Sequence, residues 1–242
     1  MSQGTAPAAL ITALDVDSQA AAVALARQTI PASPWVKVGL ELFAAASPAV
    51  VSTLAGHGAR VFLDLKFFDI PATVRAAVRE AGRLGAAMTT LHALGGERMA
   101  AAALEGRHAS GANTLLVAVT LLTSMTGQDL AWLTPHAPGH EAELVIHMAR
   151  QAKAWGLDGV VCSPWEAAQV KAACGAGFKV VTPGIRPQDA GEDDQRRTAT
   201  PAAAVAAGAD FLVVGRPIRM AASPAAAAAA MVLEIQAAQD VK

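Results

Sequence analysis

The sequence predicts an α/β chain folded as a single (β/α)8 barrel, and three observations carry that expectation. Short runs of β-branched and other apolar residues alternate with Ala-rich amphipathic segments along the whole chain. Eight strand candidates alternate with helical segments, and no stretch of linker composition divides them. No Gly-x-Gly-x-x-Gly turn follows any strand, which counts against a doubly wound open sheet, the structural alternative. The expected unit is one TIM-type barrel domain over residues 1–242.

The strand candidates are Leu10–Asp15, Trp35–Gly39, Arg60–Lys66, Thr89–Ala93, Leu115–Leu121, Gly159–Cys162, Lys179–Thr182 and Phe211–Gly215. Ser18 is a natural N-cap for a helix over Ser18–Gln28. Pro71 suits the first position of a helix that runs Ala72–Leu84 and stops before Gly85. Glu141–Trp155 is expected to end at Gly156, Pro201–Ala207 at Gly208, and Pro224–Gln239 closes the chain. The longest connection, Thr123 to His140, is rich in polar and turn residues. It has room for a short helix and the position of an active-site lid.

Composition removes several classes of function. Lys+Arg number 19 against 20 Asp+Glu, so the basic excess of a nucleic-acid binder is missing. The two cysteines, Cys162 and Cys174, form no CxxC and accompany no paired histidines. That argues against a disulfide scaffold or a zinc site and fits a reducing, cytoplasmic setting. Residues Met1 to Ala9 lack the basic and apolar regions of a signal peptide. No apolar run is long enough for a membrane span, including Ala225–Leu233 between Pro224 and Glu234.

Charge placement on the strands is the most informative signal. In Arg60-Val61-Phe62-Leu63-Asp64-Leu65-Lys66 a period of two puts Val61, Leu63 and Leu65 on one face and Phe62, Asp64 and Lys66 on the other. The aliphatic face suits the helices, so Asp64 and Lys66 point into the barrel at its C-terminal end, where barrel enzymes keep their chemistry. Strand one ends on Asp15, and strand two carries Lys37 inward between Val36 and Val38. Buried charges are costly unless paired, and these four balance in sign. A purely structural ion-pair network is the bland alternative. Charges at several strand ends of one face point instead to a site. Gly184 and Arg186 after strand seven, with Gly215 and Arg216 at the end of strand eight, match the usual barrel phosphate site.

Taken together, the segments Leu14-Asp15-Val16-Asp17, Val36-Lys37-Val38-Gly39, Asp64 to Thr73, Leu122-Thr123-Ser124, Thr182 to Arg186, Asp194 to Arg197 and Val214 to Pro217 resemble the orotidine 5′-phosphate decarboxylase family. The resemblance covers Leu14 to Ile218. It implies conversion of orotidine 5′-monophosphate to UMP and CO2 in de novo pyrimidine biosynthesis, with no cofactor and no metal. By the resemblance, Asp15 and Lys37 hold the ribose side and frame the array. Asp64, Lys66 and Asp69 are the reacting residues, and Asp69 reaches the site of a partner in a homodimer. Thr73 also contacts the partner's nucleotide, Thr123 touches the pyrimidine, and Arg186, Gln195, Gly215 and Arg216 hold the phosphate and its closing loop. Two departures stand out: Phe68 occupies a position where the family often has His, and Ala72 one where it often has Asn.

The chemistry explains the residue types. Loss of CO2 from pyrimidine C6 leaves electron density without an ordinary sink, and no motif for flavin, pyridoxal phosphate or thiamine is evident. Lys66 supplies a fixed cation beside the forming carbanion and then a proton. Asp64 beside the substrate carboxylate adds repulsion of roughly 4 kcal/mol at ~4 Å and an effective dielectric of ~20. Carbanion stabilisation carries more weight than that contested ground-state effect. One rival is a magnesium-dependent sugar-phosphate decarboxylase or aldolase of the same barrel group. Those enzymes share the Asp-x-Lys-x-x-Asp array but carry an acidic residue where this chain has Lys37, and a lysine opposes metal binding there. A phosphate-binding barrel that has lost catalysis is the non-enzymatic rival, yet no member of the array is missing.

Other features receive plain readings. His136, His140 and His147 are not a zinc triad, and His140-Glu141 reads as a solvated helix start. His92 reads as a hydrogen-bonded supporting residue rather than a base. Gly175-Ala176-Gly177 reads as a helix-to-strand turn. The alanine-rich last helix reflects helix propensity.

Overall fold

Alternation of apolar residues sets the wall of the molecule, seen in a computed structural model that describes residues 7–132, 139–187 and 198–240. Eight strands form a closed parallel barrel in sequence order. They are β1 (Ala9–Ala13), β2 (Trp35–Val38), β3 (Arg60–Phe67), β4 (Ala86–His92), β5 (Leu115–Val119), β6 (Gly159–Val161), β7 (Lys179–Thr182) and β8 (Phe211–Val214). The ladder closes where Ala9 to Thr12 pair with Phe211 to Val214. The first helices are α1 (Gln19–Thr29), α2 (Leu40–Ala46), α3 (Ala49–Gly56), α4 (Pro71–Arg83), α5 (Gly96–Ser110) and α6 (Gly127–Leu130). They are followed by α7 (Glu141–Ala154), α8 (Ala167–Cys174), α9 (Pro201–Ala206), α10 (Arg216–Arg219) and α11 (Pro224–Asp240).

Inward residues divide the barrel lumen into an apolar floor and a charged mouth. Ile11, Ala13, Trp35, Phe62, Met88, Val117, Val181, Phe211 and Val213 form one interior cluster. Trp35 and Phe211 open β2 and β8, and their rings meet edge to face at 4.9 Å. The Arg60 guanidinium lies 4.4 Å from the Trp35 ring centroid. These large groups fill the N-terminal end, so polar groups are left for the C-terminal end. Outward residues pack under the helices. Leu10 of β1 and Leu212 of β8 share a cluster with Met231 and Ile235 of α11, which thereby covers the seam where first and last strands meet.

Two aspartates, each one residue ahead of a strand, tie the floor together. Asp158 Oδ2 accepts a 2.7 Å hydrogen bond from the Leu116 amide of β5 and pairs with Arg107 at 2.6 Å. Asp210 Oδ2 accepts from the Val180 amide of β7 at 2.7 Å and pairs with Lys171 at 2.7 Å. Lys179 approaches its other oxygen at 3.5 Å. Both sit in a Gly-x-Asp turn leading into the next strand. A carboxylate that captures both an amide and a cation in a shielded place forms strong, charge-assisted bonds.

Local signals behave as the sequence leads one to expect. Ser18 caps α1 by accepting from the Ala21 amide, and Pro71 occupies the first turn of α4. Gly175-Ala176-Gly177 joins α8 to β7, and an exposed His140–Glu143 contact of 3.2 Å spans the first turn of α7. The Thr123–His140 connection carries α6, closed by a capping box between Thr126 and Asp129. One helix per strand is too simple, however. The segment after β2 splits into α2 and α3 because Pro48 follows Ser47, and a residue before proline avoids the helical region. Ser47 takes φ 64 and ψ 169 there, a region that is essentially glycine's own. Ser47→Gly is expected to raise stability by about 1 kcal/mol. Thermal melts should show an increase of roughly 2–4 °C, and a lower melting temperature would contradict the strain.

Candidate active site

Asp15, Lys37, Asp64 and Lys66 meet at the barrel mouth in an alternating row. Lys37 Nζ lies 2.9 Å from Asp15 Oδ1 and 3.9 Å from Asp64 Oδ2, and Lys66 Nζ lies 2.9 Å from Asp64 Oδ2. The side chains of Lys37 and Asp64 are each 13% exposed, so solvent screens their interaction only partly. Gly39 leaves room for the Asp15–Lys37 contact. A Cβ at that position would fall 2.8 Å from Lys37 Nζ and 3.3 Å from Asp15 Oδ1. The row thus depends on a missing side chain as well as on the charges.

β3 delivers Lys66 by an irregularity. Leu63 is opposite Thr89 and Phe67 is opposite Leu91, so β3 advances four residues while β4 advances two. A bulge of this kind bends the strand and re-aims a side chain. Lys66 sits in it with φ 52, a left-handed conformation unusual for a long side chain. Thr90 of β4 holds the bulge. Its Oγ1 accepts from the Lys66 amide at 2.8 Å and donates to Asp64 Oδ1 at 3.0 Å. Thr90 is fully buried and was not anticipated from the sequence; two adjacent threonines on a strand carry no marker for it.

The row opens into a cavity of about 520 Å³. Thr123 lies on its wall, while Gly184, Arg186, Gly215 and Arg216 line the side formed by the loops after β7 and β8. Gly184 has φ 78, which a side chain would strain. Beyond it, Arg186 N donates to Ala199 O at 3.0 Å and Ala199 N donates to Gly184 O at 3.2 Å. The exposed Trp165 adds a 3.2 Å bond from Nε1 to Thr198 O, a support the sequence did not single out. A Cβ at Gly215 would meet only Ala13 and Asp15 at 3.6 Å, an ordinary contact. Packing alone does not demand glycine there, so its absent side chain leaves room in the cavity.

Three expected residues stand apart. Asp69 and Thr73 are exposed and do not line the cavity of their own chain. Asp69 Oδ1 accepts from the Ile70 amide at 2.6 Å. Gln195, with the rest of Asp194 to Arg197, and His136 lie outside the described residues. His92 departs from expectation. It points toward the array, but its buried Nδ1 finds no hydrogen-bond partner among the described residues. Burial, then the Lys66 charge, pushes its pKa below the ordinary value of 6.5, against an opposing pull from Asp64. The imidazole is therefore neutral at pH 7 and does not compete with the Lys66 charge. Phe68 tilts over it with ring centroids 5.7 Å apart.

The donor set bears on metal binding. No group of three or more His, Cys, Asp or Glu side chains suited to a metal occurs among the described residues. Lys37 occupies the space between the Asp15 and Asp64 carboxylates, where a divalent ion would have to sit. The residues at this mouth do not fit magnesium.

A closed parallel barrel with paired charges at its strand ends and arginines after β7 and β8 defines a barrel enzyme for a small anionic ligand. The chain belongs to the Orotidine 5′-phosphate decarboxylase / HUMPS family, whose model matches residues 8–231. It is 52% identical over 235 residues to the orotidine 5′-phosphate decarboxylase of Nitratidesulfovibrio vulgaris (strain DP4), covering 95% of this chain and 98% of that protein. The Halorhodospira halophila orotidine 5′-phosphate decarboxylase is 53% identical over 232 residues, covering 96% and 98%. Among solved structures, the orotidine 5′-phosphate decarboxylase of Lactobacillus acidophilus superposes with a TM-score of 0.82 at 38% identity. That match covers 94% of this chain and 99% of the other.

Proposed function

We propose that this chain decarboxylates orotidine 5′-monophosphate to UMP and CO2 in de novo pyrimidine biosynthesis, with no cofactor. The observation that carries this reading is the alternating Asp15–Lys37–Asp64–Lys66 row beside an arginine-lined cavity. The phosphate docks against Gly215, Arg216 and Arg186, with Gln195 added by the family resemblance, and Thr123 meets the pyrimidine. Asp15 and Lys37 hold the ribose. The substrate carboxylate then lies beside Asp64. The bond from C6 to the carboxylate breaks, CO2 leaves, and the electron pair stays on C6. The Lys66 ammonium stabilises that pair and gives it a proton. Binding energy at the remote phosphate helps to offset the cost of placing two carboxylates together.

The full site takes two subunits in this reading. Asp69 and Thr73 are exposed, and Phe68 and Ile70 beside them are 60% and 67% exposed. Large apolar side chains around a polar pair suit a surface that a second copy covers. The chain is read as one barrel domain acting in the cytoplasm without nucleic-acid or membrane partners. No helix among the described residues is long and apolar enough to cross a membrane.

A chelation assay separates this reading from its nearest rival. After exhaustive EDTA treatment the protein should still consume orotidine 5′-monophosphate in an ultraviolet absorbance assay. Activity that returns only with added magnesium would favour a sugar-phosphate enzyme instead.

A further inference from the structure

We propose that Arg219 is a further guanidinium for the substrate's phosphate, beside Arg216 and Arg186; this rests on the decarboxylase reading above and names a residue that the family resemblance did not supply. Arg219 lies three residues after Arg216 on α10, and residues at that spacing share a helix face. Ile218 fixes which face. It is fully buried in the outer cluster with Leu212 and Val214, so α10 is anchored on its apolar side. Arg216 and Arg219 both line the cavity beside Gly215. The Arg219 amide donates to Gly215 O at 3.0 Å, holding the turn to the end of β8.

Charge makes the same point. Arg219 is half-buried, and no carboxylate among the described residues lies within ion-pair distance of it. A guanidinium that lines a ligand cavity and has no carboxylate partner is available to a ligand's anion. Lys37 and Lys66, which line the same cavity, are matched by Asp15 and Asp64. The surplus positive charge is thus concentrated where the arginines are. A phosphate dianion offers three terminal oxygens, and one planar guanidinium engages two of them. A further arginine one turn on from Arg216 adds another charge-assisted bond and sharpens the preference for phosphate over the free nucleoside.

The test uses the intact protein and two variants, Arg219→Ala and Arg219→Gln, the latter keeping most of the stem. With orotidine 5′-monophosphate, KM should rise about tenfold in both, as expected for losing one charge-assisted bond. The change in kcat should stay within about twofold, since the contact is present in ground and transition states alike. For phosphate-free orotidine, kcat/KM should remain within about twofold of wild type. The KM difference should also narrow at high ionic strength. A nucleotide KM within about twofold of wild type, or an equal loss on both substrates, would overturn the assignment. If the wild-type protein does not turn over the nucleotide, the decarboxylase reading fails. The Arg219 claim is then read from titration with inorganic phosphate, which Arg219→Ala should weaken about tenfold; unchanged phosphate binding would reject it.

Discussion

Lys66→Ala is expected to lower kcat for orotidine 5′-monophosphate by at least ~10⁴-fold while UMP still binds. The magnitude follows from two losses in one substitution. Removing a positioned proton donor costs typically ~10²–10⁴, and removing a fixed donor to developing charge costs ~10²–10³. The remaining site keeps its form. Asp64 retains the Thr90 hydroxyl at 3.0 Å and Lys37 at 3.9 Å, and the phosphate end is untouched. Alanine keeps a Cβ, so the left-handed backbone at residue 66 is no more strained than before, and the Thr90 bond to its amide survives. The variant should therefore melt close to wild type and bind UMP in calorimetry. Turnover within about tenfold of wild type would remove Lys66 from the role of proton donor.

Mixing two inactive proteins, Lys66→Ala and Asp69→Ala, should restore about one quarter of wild-type activity once subunits exchange. In a shared site each subunit lends Asp69 and receives its partner's. A hybrid dimer then holds one site with both lesions and one with none. Half the dimers of an equal mixture are hybrids and half their sites are whole, which gives about a quarter. The exposed position of Asp69, outside the cavity of its own chain, motivates the experiment. If Asp69 served its own subunit, every site would keep a lesion. No recovery after exchange has been verified by mass-tagged subunits would refute the sharing and leave the decarboxylase reading intact.

The barrel and the charged row at its mouth were legible in the sequence because both depend on period and sign. Alternation along Arg60–Lys66 placed Asp64 and Lys66 inward, and single charges in apolar strands marked Asp15 and Lys37. The glycine and arginine pairs after strands seven and eight marked another stretch of the cavity wall. What escaped depends on register between strands. Thr90 reaches Asp64 only because β3 carries extra residues against β4, and that offset is invisible in either strand alone. The split between α2 and α3 turns on Pro48, a breaker present in the sequence that strand–helix alternation alone does not use, and it shows as the backbone angle at Ser47. His92 was read as hydrogen-bonded, since buried imidazoles generally are; its unpartnered Nδ1 is a three-dimensional fact. Trp165 gains meaning only from the Thr198 carbonyl across a loop, and Arg219 only from the cavity that its short helix borders.

Asp158 and Asp210 place a large share of the molecule's anchoring at the end of the barrel remote from the cavity. An unmatched ammonium in a shielded floor costs several kcal/mol, so a lesion at Asp210 strands Lys171 and threatens the whole closure. At the mouth the Lys37–Asp64 centre of the row is shielded too, but Asp69, Thr73 and Arg216 are exposed. Mutational tolerance should consequently be polarised along the barrel axis. A scanning library would find the floor intolerant by loss of soluble protein and the mouth intolerant by loss of turnover. Such a chain has freedom to change its ligand from one end without renegotiating how it folds at the other.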